Sequence, residues 1–164
     1  MPNWCMNKLI VAGPKEHLAT FQKKVRKGKD PFNFQKIIPM PKKLLEEESP
    51  NKNSGVPDWY VWCLKNWGTK WNVCDVNMTK HDNEIHLNFD TAWSPPIPII
   101  IKLMTMFPKL SFRLTYCEPG VGFSGIFGSS DGMMVDEEYS SKDQEHLMFM
   151  KEFGLDDEDV GVPQ

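Results

Sequence analysis

Residues 71–117 read WNVCDVNMTKHDNEIHLNFDTAWSPPIPIIIKLMTMFPKLSFRLTYC, and their patterning decides the fold. From Trp71 to Trp93 the residues alternate as strands do. Val73, Asp75 and Asn77 fall on one side; Val76 and Met78, then Ile85, Leu87 and Phe89, fall on the other. Lys80-His81-Asp82-Asn83 supplies the turn of a hairpin. Next, Ser94 is suited to cap a helix and Pro95 to occupy its first position. Ile99, Leu103 and Met106 form one apolar stripe, which Pro108 stops. Leu110–Cys117 then alternates cleanly as a further strand. Hairpin, helix, strand is the frame on which the flanking segments are hung.

Upstream, residues 4–12 (WCMNKLIVA) read as a first strand that ends at Gly13-Pro14. A helix follows, with Leu18, Phe21 and Val25 on one face and Lys23, Lys24, Arg26 and Lys27 about its last turn, where positive charge suits the macrodipole. Phe32 to Met40 is expected to be a second strand, closed by Pro39 and Pro41. Residues 42–57 read as a charged, turn-rich loop with room for one helical turn. Pro57 then opens a helix, DWYVWCLKNW, which Gly68 ends. Downstream, Glu118-Pro119-Gly120 turns into a strand over Val121–Phe127 that is thinned by Gly122 and Gly125. A last helix over 141–154 would carry Leu147, Met150 and Phe153 on one face. The predicted class is α+β: a ferredoxin-like antiparallel sheet with helices packed on one face, plus an acidic C-terminal helix and tail. The expected division is a domain over 1–135 and an acidic helix and tail over 136–164.

Composition excludes several classes. The chain has 164 residues, 40% apolar and 12% aromatic, enough for a real core. Mean hydropathy is −0.45, and no apolar run approaches the length of a membrane span. The start, MPNWCMNKLIVAG, has no secretory pattern, so the expected location is the cytosol. Cys5, Cys63, Cys74 and Cys117 make no CxxC or CxxH pair and are expected to be free thiols, with no zinc site. Residues 136–164 hold ten acidic and two basic side chains, a net of −8, against a net of +5 in the rest. Such a tail can be a solvated terminus, fold over a basic face, or leave a basic face for an anionic partner.

The densest chemical signal is 59–71, WYVWCLKNWGTKW, with four of the six tryptophans. Its end sets Asn66, Trp67, Thr69, Lys70 and Trp71 around a glycine. Two further blocks, Thr91–Pro96 (TAWSPP) and Glu118–Gly125 (EPGVGFSG), lie at other junctions of predicted elements. Junctions on one edge of a sheet can converge into an aromatic pocket with a few placed polar groups. The candidate ligand- or partner-binding residues are Asn66, Trp67, Thr69, Lys70, Trp71, Trp93, Glu118 and Phe123. No catalytic residue, metal or cofactor is assigned. His17, His81, His86 and His146 are scattered, and no HExxH, GxSxG, Walker loop or GxGxxG occurs.

Taken together, Pro2-Asn3-Trp4-Cys5-Met6-Asn7, Ile38-Pro39-Met40-Pro41, NWGTKW at 66–71, TAWSPP at 91–96, and Glu118-Pro119-Gly120 with Phe123 and Gly125 resemble the Api92-like family. Its members are small proteins of phages, plasmids and other mobile elements with a YubB-type ferredoxin-like domain. The resemblance runs from residue 2 to about 127 and leaves the acidic tail outside. It implies a ferredoxin-like fold and carries over no enzyme activity. It further implies action in the host bacterial cytosol against a defence system, most simply by binding and inhibiting a defence protein. The alternative is a sponge for a nucleotide signal, with Trp67, Trp71 and Trp93 lining its pocket and Lys70 and Thr69 on the phosphates. An enzyme degrading such a signal would need a general base or metal cluster, and the sequence offers neither. A nucleic-acid partner is not favoured. Oligomeric state leaves no mark in the sequence.

Overall fold

In a computed structural model, which describes residues 3–46, 55–130 and 132–155, β1 (Trp4–Ala12) runs through the middle of a six-stranded sheet. Then follow α1 (Lys15–Val25), a short α2 (Lys42–Leu45), α3 (Asp58–Asn66), β2 (Cys74–Lys80), β3 (Glu84–Ala92), α4 (Ile97–Met106), β4 (Ser111–Glu118), β5 (Phe123–Ser130), β6 (Met133–Ser140) and α5 (Gln144–Glu152). The strand order is β2-β3-β1-β4-β5-β6, and every pairing is antiparallel. The first four strands, with α1, α2 and α3 between β1 and β2 and α4 between β3 and β4, make the ferredoxin-like unit. The hairpin β5–β6 extends it.

One face of the sheet holds the core. Cys5, Leu9 and Val11 of β1, Ile85, Leu87 and Phe89 of β3, and Phe112, Leu114 and Tyr116 of β4 all point to it. Leu18, Phe21 and Val25 of α1 and Ile99, Ile100 and Leu103 of α4 cover that face. Phe21 meets Phe107 and Phe112 edge-on, at 5.6 and 5.8 Å between ring centroids. Each such fully buried side chain contributes about 1.5–3 kcal/mol. Burial also pushes the Cys63 and Cys117 thiols up to about 11, and all four cysteines are free.

Three expectations need correction. Residues 32–40 form no strand; Phe34–Lys36 is a single 3-10 turn. Side-chain amides replace the ladder there. Asn33 Oδ1 accepts from the Gln35 N–H at 3.0 Å, Gln35 Oε1 from the Met40 N–H at 2.8 Å, and Asn72 Oδ1 from the Phe34 N–H at 2.9 Å. β6 lies where the sequence, rich in carboxylates, read as a solvated segment, and it runs across the boundary drawn at residue 135. Ser94 caps no helix: α4 begins after Pro96, and the Ser94 hydroxyl donates to the Gly68 carbonyl at 2.6 Å. The expected C-terminal helix forms as α5, on the face opposite α1 and α4. Its Glu152 pairs with Lys8 at 3.1 Å, and buried His146 meets Ser124 Oγ at 2.9 Å. Burial pushes the His146 pKa below the ordinary imidazole value.

Candidate functional site

Two of the three chemical blocks, 66–71 and 91–96, meet at the end of the sheet where β1 begins and β3 finishes, and the third adjoins them through Asn3. α3 stops at Asn66, and the Trp67 and Gly68 N–H groups both turn back to the Cys63 carbonyl, at 2.8 and 3.1 Å. Gly68 has φ +78°, and a Cβ there would fall 2.6 Å from Pro98 Cδ and 3.2 Å from the Pro95 carbonyl. Only glycine fits that turn. The turn is then stitched to the end of β3. The Thr69 hydroxyl donates to the Ala92 carbonyl at 2.8 Å, and the Thr91 hydroxyl to the Ser94 carbonyl at 2.7 Å. The Trp93 N–H reaches the Asn3 carbonyl at 2.9 Å.

Trp93 itself sits at φ +70°. A bulky residue in the left-handed region stores about 1–3 kcal/mol of strain. The conformation aims its indole at Lys70. The Lys70 ammonium lies over three rings, 4.5 Å from the Trp71 centroid, 4.9 Å from Trp93 and 5.7 Å from Tyr60. Trp4 adjoins this cage, 6.4 Å from Trp71. Trp4 and Trp71 are each 37% exposed and Trp93 43%. Among the described residues Lys70 makes no hydrogen bond or ion pair, so its charge is balanced only by ring faces. Beside the cage lies a cleft of about 280 Å³, lined by apolar Met40, Leu44, Leu45 and Trp59 and bordered by Lys70 and Trp71.

The eight expected site residues divide. Lys70, Trp71 and Trp93 come together at the surface. Trp67 is 3% exposed; its indole N–H donates to the Ile38 carbonyl at 2.9 Å, and its ring packs against Phe34 and Trp62. Thr69 is fully buried in its bond to β3, and Asn66 donates back to the Trp62 carbonyl at 2.9 Å, closing α3. These three hold the site in shape and present little to a partner. Glu118, 1% exposed, accepts the Gly120 and Val121 N–H groups at 2.8 and 2.6 Å, and Phe123 packs on Tyr116. They shape the β4–β5 turn. That turn abuts the start of β1, since a Cβ on Gly120 would fall 2.6 Å from Asn3 Nδ2. Trp4 and Tyr60 are the members that sequence reasoning missed. Alternation along β1 holds the signal for Trp4, which lies off the Cys5-Leu9-Val11 face. Tyr60 likewise lies off the Trp59-Cys63 stripe of α3.

Among the described residues no cluster of three or more His, Cys, Asp or Glu is arranged to hold a metal ion. Among them, too, no helix is long and apolar enough to cross a membrane.

The strand order and connections thus define a ferredoxin-like α+β protein. The family model described as the ferredoxin-like domain in Api92-like protein matches residues 66–159, and the chain belongs to that family. The match takes in β6 and α5, beyond the residue 127 where the motif resemblance stops. A crystal structure of the protein api92 from Yersinia pseudotuberculosis is similar in fold, with a TM-score of 0.57 over 85% of this chain and 98% of that one, at 12% identity. The uncharacterized protein YubB of Escherichia coli K12 is 31% identical over 86 residues. That match covers 51% of this chain and spans 59% of the relative's length.

Proposed function

We propose that this is a non-catalytic binding protein that engages a protein partner through its tryptophan face. The observation that carries the reading is the exposed set of Trp4, Trp71 and Trp93 gathered about an ammonium that pairs with no anion among the described residues. Half-exposed indoles around one charge are the make-up of an interface hot spot. The apolar surface continues across Leu45, 57% exposed and lining the cleft, and along α3 through Leu64, one turn from Tyr60. The partner would set aromatic or aliphatic groups against the indoles and a carboxylate near Lys70. The resemblance to mobile-element proteins suggests a host defence protein as that partner, bound and inhibited in the host cytosol. The geometry gives less support to a nucleotide sponge. Two of its proposed contacts, Trp67 and Thr69, are buried in structural hydrogen bonds, and one lysine is a thin complement for several phosphates.

Native mass spectrometry tests this on tagged protein recovered from a bacterial lysate with active defences. A host protein at fixed stoichiometry, lost from Trp71→Ala and Lys70→Glu, is the expected result. A retained small mass, lost from the same two variants, would overturn it in favour of the sponge.

A further inference from the structure

The two edges of the sheet are protected differently. An edge strand offers a row of free N–H and C=O groups to any extended chain, and natural proteins usually blunt it. β2 is blunted: Asp75 sits at φ +50°, and the register with β3 shifts between Cys74 and Asn77. A bulge of this kind bends the strand away from a would-be neighbour. β6 has no such device. Its eight residues pair with β5 without a break, from Ser130↔Met133 to Phe123↔Ser140, and it contains neither proline nor glycine. It is the last strand of the sheet, so its outer side pairs with no strand among the described residues. α5 packs on its face through the stacking of Phe149 on Tyr139 at 5.7 Å and leaves the edge uncovered.

What distinguishes this edge is Asp136-Glu137-Glu138, three consecutive exposed carboxylates at mid-strand. Two are held in place by phenols: Tyr116 donates to Glu138 at 3.4 Å across the space that Gly125 leaves empty, and Tyr139 donates to Glu137 at 2.5 Å. Side chains alternate along a strand, so Glu137 projects to one face and Asp136 and Glu138 to the other. A second copy of β6 is excluded as occupant by charge. Antiparallel pairing about Glu137 sets that residue against its own copy and Asp136 against Glu138, and in-register parallel pairing stacks all three carboxylates on themselves; like charges placed so are destabilising. A strand with cations at its centre meets the opposite situation on both faces.

We infer that the free edge of β6 is a docking strand for an extended, lysine- or arginine-bearing segment of a partner protein, joined by main-chain hydrogen bonds and selected by Asp136, Glu137 and Glu138. This is strand addition, in which the backbone supplies affinity and alternating side chains supply specificity. The surface is separate from the tryptophan face and does not depend on it.

The test uses the full chain, isotope-labelled, titrated with the acetylated peptide Thr-Val-Lys-Lys-Lys-Val-Thr and with its counterpart carrying three glutamates. The lysine peptide is expected to slow amide exchange at alternate residues of β6. Its affinity should fall about tenfold in the triple variant Asp136→Asn, Glu137→Gln, Glu138→Gln, as expected for three exposed charge pairs acting together. Replacing the same three residues by lysine should switch preference to the glutamate peptide. Binding that leaves β6 exchange unchanged, or that persists in the neutral variant, would overturn the inference. So would self-association of the wild-type chain through β6.

Discussion

Trp67 and Trp71 stand four residues apart in one sequence block, yet they belong to different parts of the molecule. Trp67 is 3% exposed and closes the core under α3; Trp71 is 37% exposed and forms one wall around Lys70. The difference lies in the backbone between them. Gly68, at φ +78°, reverses the chain, and Thr69 pins the reversed segment to the end of β3. Indoles before the turn follow α3 into the core, and those after it face outward. Residue type alone therefore says little about role in this block, and the turn decides it.

The contrast is open to attack in four places. Trp67→Ala should have the largest effect, about 3–5 kcal/mol lost in chemical denaturation, because it opens a cavity and leaves the Ile38 carbonyl without its donor. Trp71→Ala should cost only about 1 kcal/mol while abolishing partner capture; equal losses in the two variants would erase the distinction. Gly68→Ala should come next, at about 1–3 kcal/mol, since the new methyl meets Pro98 in a backbone conformation alanine disfavours. Its melting temperature should fall and partner capture should weaken with it, because the turn sets the position of Lys70. The smallest change belongs to Lys70→Gln, about 0.5 kcal/mol of stability for one exposed cation over aromatic rings. Association by that variant should lose most of its dependence on ionic strength, measurable by surface plasmon resonance at two salt concentrations.

The ferredoxin-like core was legible because its signals are local. Ile85, Leu87 and Phe89 alternate, the stripe of α4 is helical, and glycines and prolines mark the ends. Residues 32–40 misled because Phe32, Phe34, Ile37 and Met40 are all buried, which raises apolar content without fixing a period. Asn33 and Gln35 shape the segment by bonds within it, in place of a ladder, and the Asn72 amide reaches in from far along the chain, beyond any local pattern. β6 escaped notice for the opposite reason. An edge strand exposed on most of its residues shows no apolar alternation, and its carboxylates resemble those of a solvated tail. At the site, the meeting of the 66–71 and 91–96 blocks could be read from their positions at element junctions, while Glu118 and Phe123 shape their own turn. The separation of Trp67 and Thr69 from Lys70 and Trp71 depends on one glycine's dihedral angle.

The central place of β1 has a consequence during synthesis. Leu9 pairs with Leu87 on one side and Leu114 on the other, so the strand made earliest waits for both neighbours. At translation rates of about 5–20 residues per second, that wait is on the order of several seconds. Throughout it a segment carrying Cys5, Leu9 and Val11 has two unpaired edges and an uncovered apolar face. The pairings that end this exposure are long-range, which makes folding slow. Until β4 is complete, β1 is therefore the segment of the nascent chain through which misassociation would start.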